Sequence, residues 1–124
     1  MEFRDLKTQY HVLKPKIDMA IQTVLNEGRF IMGRQVQELE KTLADYVGVK
    51  HCITCANGTD ALFMVLMAWD IKADDAIFVP DFTFFATAEV VSLIGATPVF
   101  VDVDSDTFNI DPVKLEAAIK EVLK

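Results

Sequence analysis

Glycine and proline are scarce in this 124-residue chain, five and four respectively, and no internal repeat, low-complexity tract or linker interrupts it. Clustered positive charge is missing as well. No run of Lys or Arg exceeds two residues and the formal net charge is −7, which argues against nucleic acid or an anionic membrane surface as partner. Long hydrophobic runs are also lacking: the longest, Ala61 to Trp69, has nine residues, less than half of a membrane span. No stretch combines a charged start, an apolar middle and a small-residue cleavage site. The expectation is a soluble, cytoplasmic protein that must hold any small anionic ligand with local donors. Cysteine is limited to Cys52 and Cys55. Their C-x-x-C spacing hints at a redox pair, but that chemistry works at a helix N-terminus, and strand alternation would put residues three apart on opposite faces. Buried free thiols are expected instead.

What is present is enough apolar residue for a core, 52% of the chain, and one stretch around which the rest is arranged. His51 to Trp69, HCITCANGTDALFMVLMAW, reads as a strand Cys52–Ala56, a turn Asn57-Gly58-Thr59-Asp60, and a helix that is apolar on every side from Ala61 to Trp69. A strand that breaks at a glycine and enters a helix leaves unpaired N–H groups at the break, where the helix dipole also favours an anion. Asn57 suits the N-cap, Gly58 permits close backbone approach, and Thr59 adds a hydroxyl. The same four residues would also serve as a capped turn with no ligand.

The segment Met1–Tyr10 shows no clear period and reads as an arm. From Pro15, apolar Ile17, Ala20, Ile21, Val24 and Leu25 recur at helical spacing up to Gly28. An apolar link, Arg29 to Gly33, precedes a second amphipathic helix carrying Val36, Leu39, Leu43 and Tyr46/Val47 and closing at Gly48. Thereafter strands alternate with helices: strand Ala76–Val79 with a helix near Phe85–Ile94, then strand Thr97–Val103, a turn at Asp104-Ser105-Asp106, and a last helix opened by Asp111-Pro112. Three strand–helix units with near-continuous apolar strands predict an α/β fold with a mainly parallel sheet covered by helices. Ligands of such sheets sit at the carboxyl ends of the strands.

The turn Pro80-Asp81-Phe82-Thr83-Phe84-Phe85 puts three aromatics at that same edge. One of them facing the phosphate seat would give a ring ligand a flat surface. Phosphate plus ring points to a nucleotide or pyridoxal phosphate, though the same phenylalanines would also serve as core; the dinucleotide glycine motif and the P-loop lysine are both missing. At this point the motifs carry a resemblance. NGTDAL (Asn57 to Leu62), VPDFTFFATAEVV (Val79 to Val91) and GATPVFVDVDSDTFNIDPVKLEAAI (Gly95 to Ile119), with the opening DLKTQY and the link GRFIMG, resemble the DegT-type sugar-nucleotide aminotransferases, pyridoxal phosphate enzymes of fold type I. The DLK, CANGTDAL and ATAE segments most resemble members that aminate a UDP-linked 2-acetamido-3-oxo-hexuronic acid for bacterial surface polysaccharide.

The resemblance implies the N-terminal part of such an enzyme: an arm and first helix at residues 1–34, then the first part of the cofactor-binding α/β domain at residues 35–124. It implies that the amides of Gly58, Thr59 and Asp60, with the Thr59 hydroxyl, hold the cofactor phosphate and that Phe84 stacks on the pyridine ring. It further implies a homodimer, a keto sugar nucleotide as acceptor and glutamate as amino donor. The family's Schiff-base lysine, pyridine-pairing carboxylate and phosphate-binding serine fall beyond Lys124, so no catalytic residue is assigned and the chain alone is expected to be inactive. The loop Trp69 to Ala76 lacks the family's usual glycines. Asp102 and Asp104 read as strand-end and turn residues rather than metal ligands. Two other functions stay open: a sugar dehydratase of the same family, and a non-catalytic nucleotide-binding or interaction module. The implied topology separates the first strand from the next two, leaving sheet edges exposed.

Overall fold

The computed structural model describes residues 3–123, which divide into two compact units, residues 3–54 and residues 55–123.

The first unit begins with a helix earlier than its apolar period suggests. Helix α1 spans Leu6–Glu27, because Asp5 caps it: the Asp5 carboxylate accepts from the Thr8 amide at 2.9 Å and from its hydroxyl at 2.7 Å. The Met1–Tyr10 arm is therefore corrected over Leu6–Tyr10, which is helical; Met1 and Glu2 lie outside the described residues. Pro15 stands inside α1 instead of in its first turn. The helix ends at Gly28, which takes the left-handed conformation (φ 65°) and donates its amide to the Val24 carbonyl. In the link that follows, Gly33 is required by close approach, since a Cβ there would stand 2.9 Å from the Arg29 carbonyl oxygen. Helix α2, Arg34–Val47, carries the expected amphipathic period and closes at left-handed Gly48. Of its residues only Ala44 is buried. Glu40 reaches across to accept from the Thr54 amide at 2.9 Å and hydroxyl at 2.8 Å.

Cys52–Ala56 forms no strand among the described residues, and the chain bends at Ala56, a correction to the first of the three expected units. An apolar run becomes a strand only when a neighbour accepts its ladder bonds, and the described residues offer none. The cysteines are free as expected, but Cys55 is exposed and Cys52 half-buried.

The second unit is a helix followed by a βαβ unit. Helix α3 spans Gly58–Ala68, strand β1 Ala76–Pro80, helix α4 Ala86–Leu93, strand β2 Thr97–Val101 and helix α5 Pro112–Val122. The strands pair in parallel from Ala76 opposite Thr97 to Pro80 opposite Val101. Leu66 of α3, Val79 of β1, Val90 and Val91 of α4, and Ala96 form the core, with Phe63, Ile71, Ile77, Ala88 and Ile94 packed against it. Helix α3, apolar all round, buries only Leu66; Met67 and Trp69 are exposed. Strand β2 stops two residues earlier than its pattern. Val103 instead bridges antiparallel to Ile110, closing a turn whose hub is the Asp104 carboxylate. That carboxylate accepts from the Asp106 amide at 3.1 Å, the Thr107 amide at 2.8 Å and the Thr107 hydroxyl at 3.0 Å. Helix α5 starts as its sequence dictates, with Asp111 accepting from the Val113 and Lys114 amides and Pro112 in the first turn. No described helix is long and apolar enough to cross a membrane.

Candidate functional site

The turn Asn57 to Asp60 enters α3 through a reciprocal cap. Asn57 Oδ1 accepts from the Asp60 amide at 2.9 Å, and Asn57 Nδ2 donates to Asp60 Oδ2 at 3.1 Å. One of the helix's orphan donors is thereby spent. Among the described residues, the Gly58 and Thr59 amides donate to no protein acceptor and the Thr59 hydroxyl bonds to no protein group. These two amides stand at the positive end of an eleven-residue helix. Asp60, grouped with them from the sequence, departs from that grouping because its amide serves the cap.

The same end of α3 meets the turn after β1. Gly58, Thr59, Leu62, Phe84, Ala86 and Thr87 line one hollow of about 470 Å³. None of the six is charged, so an anion there would be held by dipoles and hydroxyls, in keeping with the acidic balance of the chain. Gly58 faces open space: a Cβ built on it would meet no atom within 4 Å.

Sequence pattern leaves the three aromatics of the turn alike and the family resemblance singles out Phe84; the three have different surroundings in the structure. Phe82 packs against Phe108, ring centroids 5.3 Å apart. Phe85 lines a different hollow, with Glu89 and Ser92 beside the apolar Ala88, Leu93, Pro98 and Phe100. Phe84 alone of the three faces the helix end, and its side chain is 78% exposed. Two unspent amides, a free hydroxyl and an open aromatic ring around one hollow fit a phosphate carried on a planar heterocycle. Thr87 also lines the hollow and was not singled out from the sequence; the Thr83/Thr87 spacing across the turn was the available signal.

At the carboxyl end of β2, the aspartates are engaged in structure. Asp102 is ion-paired with Lys114 and accepts from the Val103 amide at 2.8 Å. Lys114 holds the Asp102 carboxyl below its ordinary value and is itself raised by that carboxylate. The Thr107 amide and hydroxyl likewise lower Asp104. In the first unit, the Thr54 amide and hydroxyl lower Glu40.

A parallel βαβ unit with an open helix end and an aromatic beyond its first strand is the arrangement of an α/β protein that takes an anionic ring ligand. The chain belongs to the DegT/DnrJ/EryC1/StrS aminotransferase family, whose pattern its residues 12–124 match. It is 56% identical over 119 residues to the UDP-2-acetamido-2-deoxy-3-oxo-D-glucuronate aminotransferase of Pseudomonas aeruginosa, covering 96% of this chain and 33% of that protein. Its structure superimposes on a DegT DnrJ EryC1 StrS aminotransferase from Brucella abortus with a TM-score of 0.93 at 53% identity, covering 99% of this chain and 33% of the other. It also resembles the E. coli GDP-4-keto-6-deoxy-D-mannose-3-dehydratase with bound hydrated PLP, TM-score 0.73 at 31% identity, over 81% of this chain and 27% of that one. The chain thus has the fold of the N-terminal part of these enzymes and spans about a third of the length of the relatives it matches.

Proposed function

We propose that this chain is the N-terminal segment of a pyridoxal-phosphate-dependent aminotransferase that moves an amino group from glutamate to a UDP-linked keto sugar in bacterial surface polysaccharide biosynthesis. In this reading residues 1–34 are an arm and first helix, residues 35–124 begin the cofactor-binding domain, and the enzyme is a cytoplasmic homodimer. Pyridoxal phosphate, when bound, supplies the electron sink for amino transfer. The residues of this chain would do the holding. The Gly58 and Thr59 amides and the Thr59 hydroxyl receive the phosphate, and Phe84 lies against the ring. Asp60 contributes through its cap with Asn57, which fixes the direction of the helix end. The observation that carries the reading is the hollow shared by the unspent amides and Phe84. The 56% identity to an aminotransferase named for a UDP-2-acetamido-3-oxo sugar supports the substrate class. No residue described here is assigned as catalytic, and the 124-residue chain is expected to show no transamination by itself.

Titration with pyridoxamine 5′-phosphate and with pyridoxamine tests the seat, because neither ligand carries an aldehyde that reacts with surface lysines. The expected result is weak binding that depends on the phosphate. Equal affinity for the two would remove the seat at Gly58 and Thr59.

The likeness to a dehydratase supports a second reading, a sugar dehydratase built on the same segment. Product mass from a full-length enzyme carrying this segment, supplied with keto sugar nucleotide and glutamate, separates them. An aminotransferase adds nitrogen to the sugar; a dehydratase removes water.

A further inference from the structure

The turn that presents Phe84 is pinned by one residue at two points. The Thr87 amide donates to the Phe84 carbonyl at 3.0 Å, and the hydroxyls of Thr83 and Thr87 lie 3.0 Å apart. These two contacts bracket Phe84 on either side. The residue in question also borders the hollow that holds Gly58, Thr59 and the Phe84 ring. Phe84 needs such support, since its ring is largely exposed and an exposed aromatic with few neighbours samples several rotamers. At this end of α4 the Phe85 carbonyl accepts from the Ala88 and Glu89 amides at 3.2 and 3.1 Å, but Phe85, at the N-cap position, makes no side-chain cap bond, so the Thr83–Thr87 pair is the side-chain contact across the turn.

We infer that Thr87 is a positioning residue, whose hydroxyl contact with Thr83 holds the Phe84 ring toward the helix end where the ring of the ligand would lie. The inference rests on the proposed cofactor seat for its purpose, but the contact itself is a property of the ligand-free chain. Thr87→Val keeps shape and the backbone bond to Phe84 while removing the hydroxyl; Thr87→Ser keeps the hydroxyl. Thr83→Val removes the other half of the pair.

The test is fluorine NMR of the ligand-free 124-residue chain made with fluorinated phenylalanine, the Phe84 line being assigned by its loss in Phe84→Leu. Thr87→Val and Thr83→Val should shift the Phe84 line in the same direction, and Thr87→Ser should restore it. Affinity for pyridoxamine 5′-phosphate should fall about threefold to tenfold in both valine variants. A Phe84 line unmoved in either valine variant, or moved as far by serine as by valine, overturns the inference. Failure of the seat reads differently: the wild-type chain would then not distinguish pyridoxamine 5′-phosphate from pyridoxamine, while the Phe84 line would still respond to loss of the hydroxyl and support the positioning role.

Discussion

Asn57 and Asp60 close the entrance of α3 upon each other, one bond running from the Asp60 amide to Asn57 Oδ1 and the other from Asn57 Nδ2 to Asp60 Oδ2. The pair orients the helix end without using the amides of the two residues between them. Replacing Asn57 with alanine removes both bonds, and loss of an N-cap side chain costs about 1 kcal/mol. Urea denaturation of Asn57→Ala should show a destabilisation of that size; an unchanged midpoint would mean the cap contributes nothing to folding.

Gly58 separates binding from stability. Its Cβ position is free of protein atoms within 4 Å and its backbone does not demand glycine, so Gly58→Ala should fold as well as the wild type. Helix propensity favours the variant by up to about 1 kcal/mol. An added methyl facing the hollow should nevertheless lower affinity for pyridoxamine 5′-phosphate by about tenfold, or 1.4 kcal/mol. Equilibrium unfolding and ligand titration on the same variant measure the two effects apart.

Acid should weaken the fold through its lowered carboxyls. Asp102 and Asp104 are lowered from 3.8 and Glu40 from 4.5, so each binds its proton more readily when unfolded. Their stabilising contribution is present above those ordinary values and is lost as pH falls through the lowered ones. Lys114 has the opposite sign: raised above 10.5, it contributes below that value and loses the contribution as pH rises through its raised one. Urea midpoints should therefore hold steady near neutrality and decline in acid, and Asp104→Ala should reduce the acid-dependent part of that decline. Identical pH profiles for variant and wild type would count against the Asp104 hub.

Pro15 stands in the interior of α1, where its ring has no N–H to give the His11 carbonyl. Proline at such a place costs about 3 kcal/mol relative to alanine. Pro15→Ala should raise helix content by far-ultraviolet circular dichroism and increase the stability of the first unit by up to that amount. A loss of helix would show that the proline shapes α1 in a way the backbone needs.

Much of this was legible in the residues, for identifiable reasons. Helix α2 follows from apolar spacing closed by Gly48, α3 from the unbroken apolar run after the Asn57 turn, α5 from its Asp111-Pro112 opening, and β1 from an apolar run before Pro80. The start of α1 was misread because Pro15 resembles a first-turn proline, whereas the true start is the Asp5–Thr8 contact among residues with no apolar period. Cys52–Ala56 has the composition of a strand, but composition cannot supply the neighbour that a ladder requires. At the site, the cap by Asn57 was legible, but its consumption of the Asp60 amide was not, because a sequence does not say which donor the cap will take. Nor could three phenylalanines in four residues reveal which one would pack on Phe108, a residue far along the chain that takes the left-handed conformation (φ 57°).

The exposed thiol of Cys55 donates to the Asn57 carbonyl oxygen at 3.2 Å, the residue whose side chain caps α3. A maleimide dye attached there would sit two residues from the helix entrance. Its emission should register arrival of an anion at that entrance in real time, giving an optical handle even for inorganic phosphate, which has no absorbance of its own.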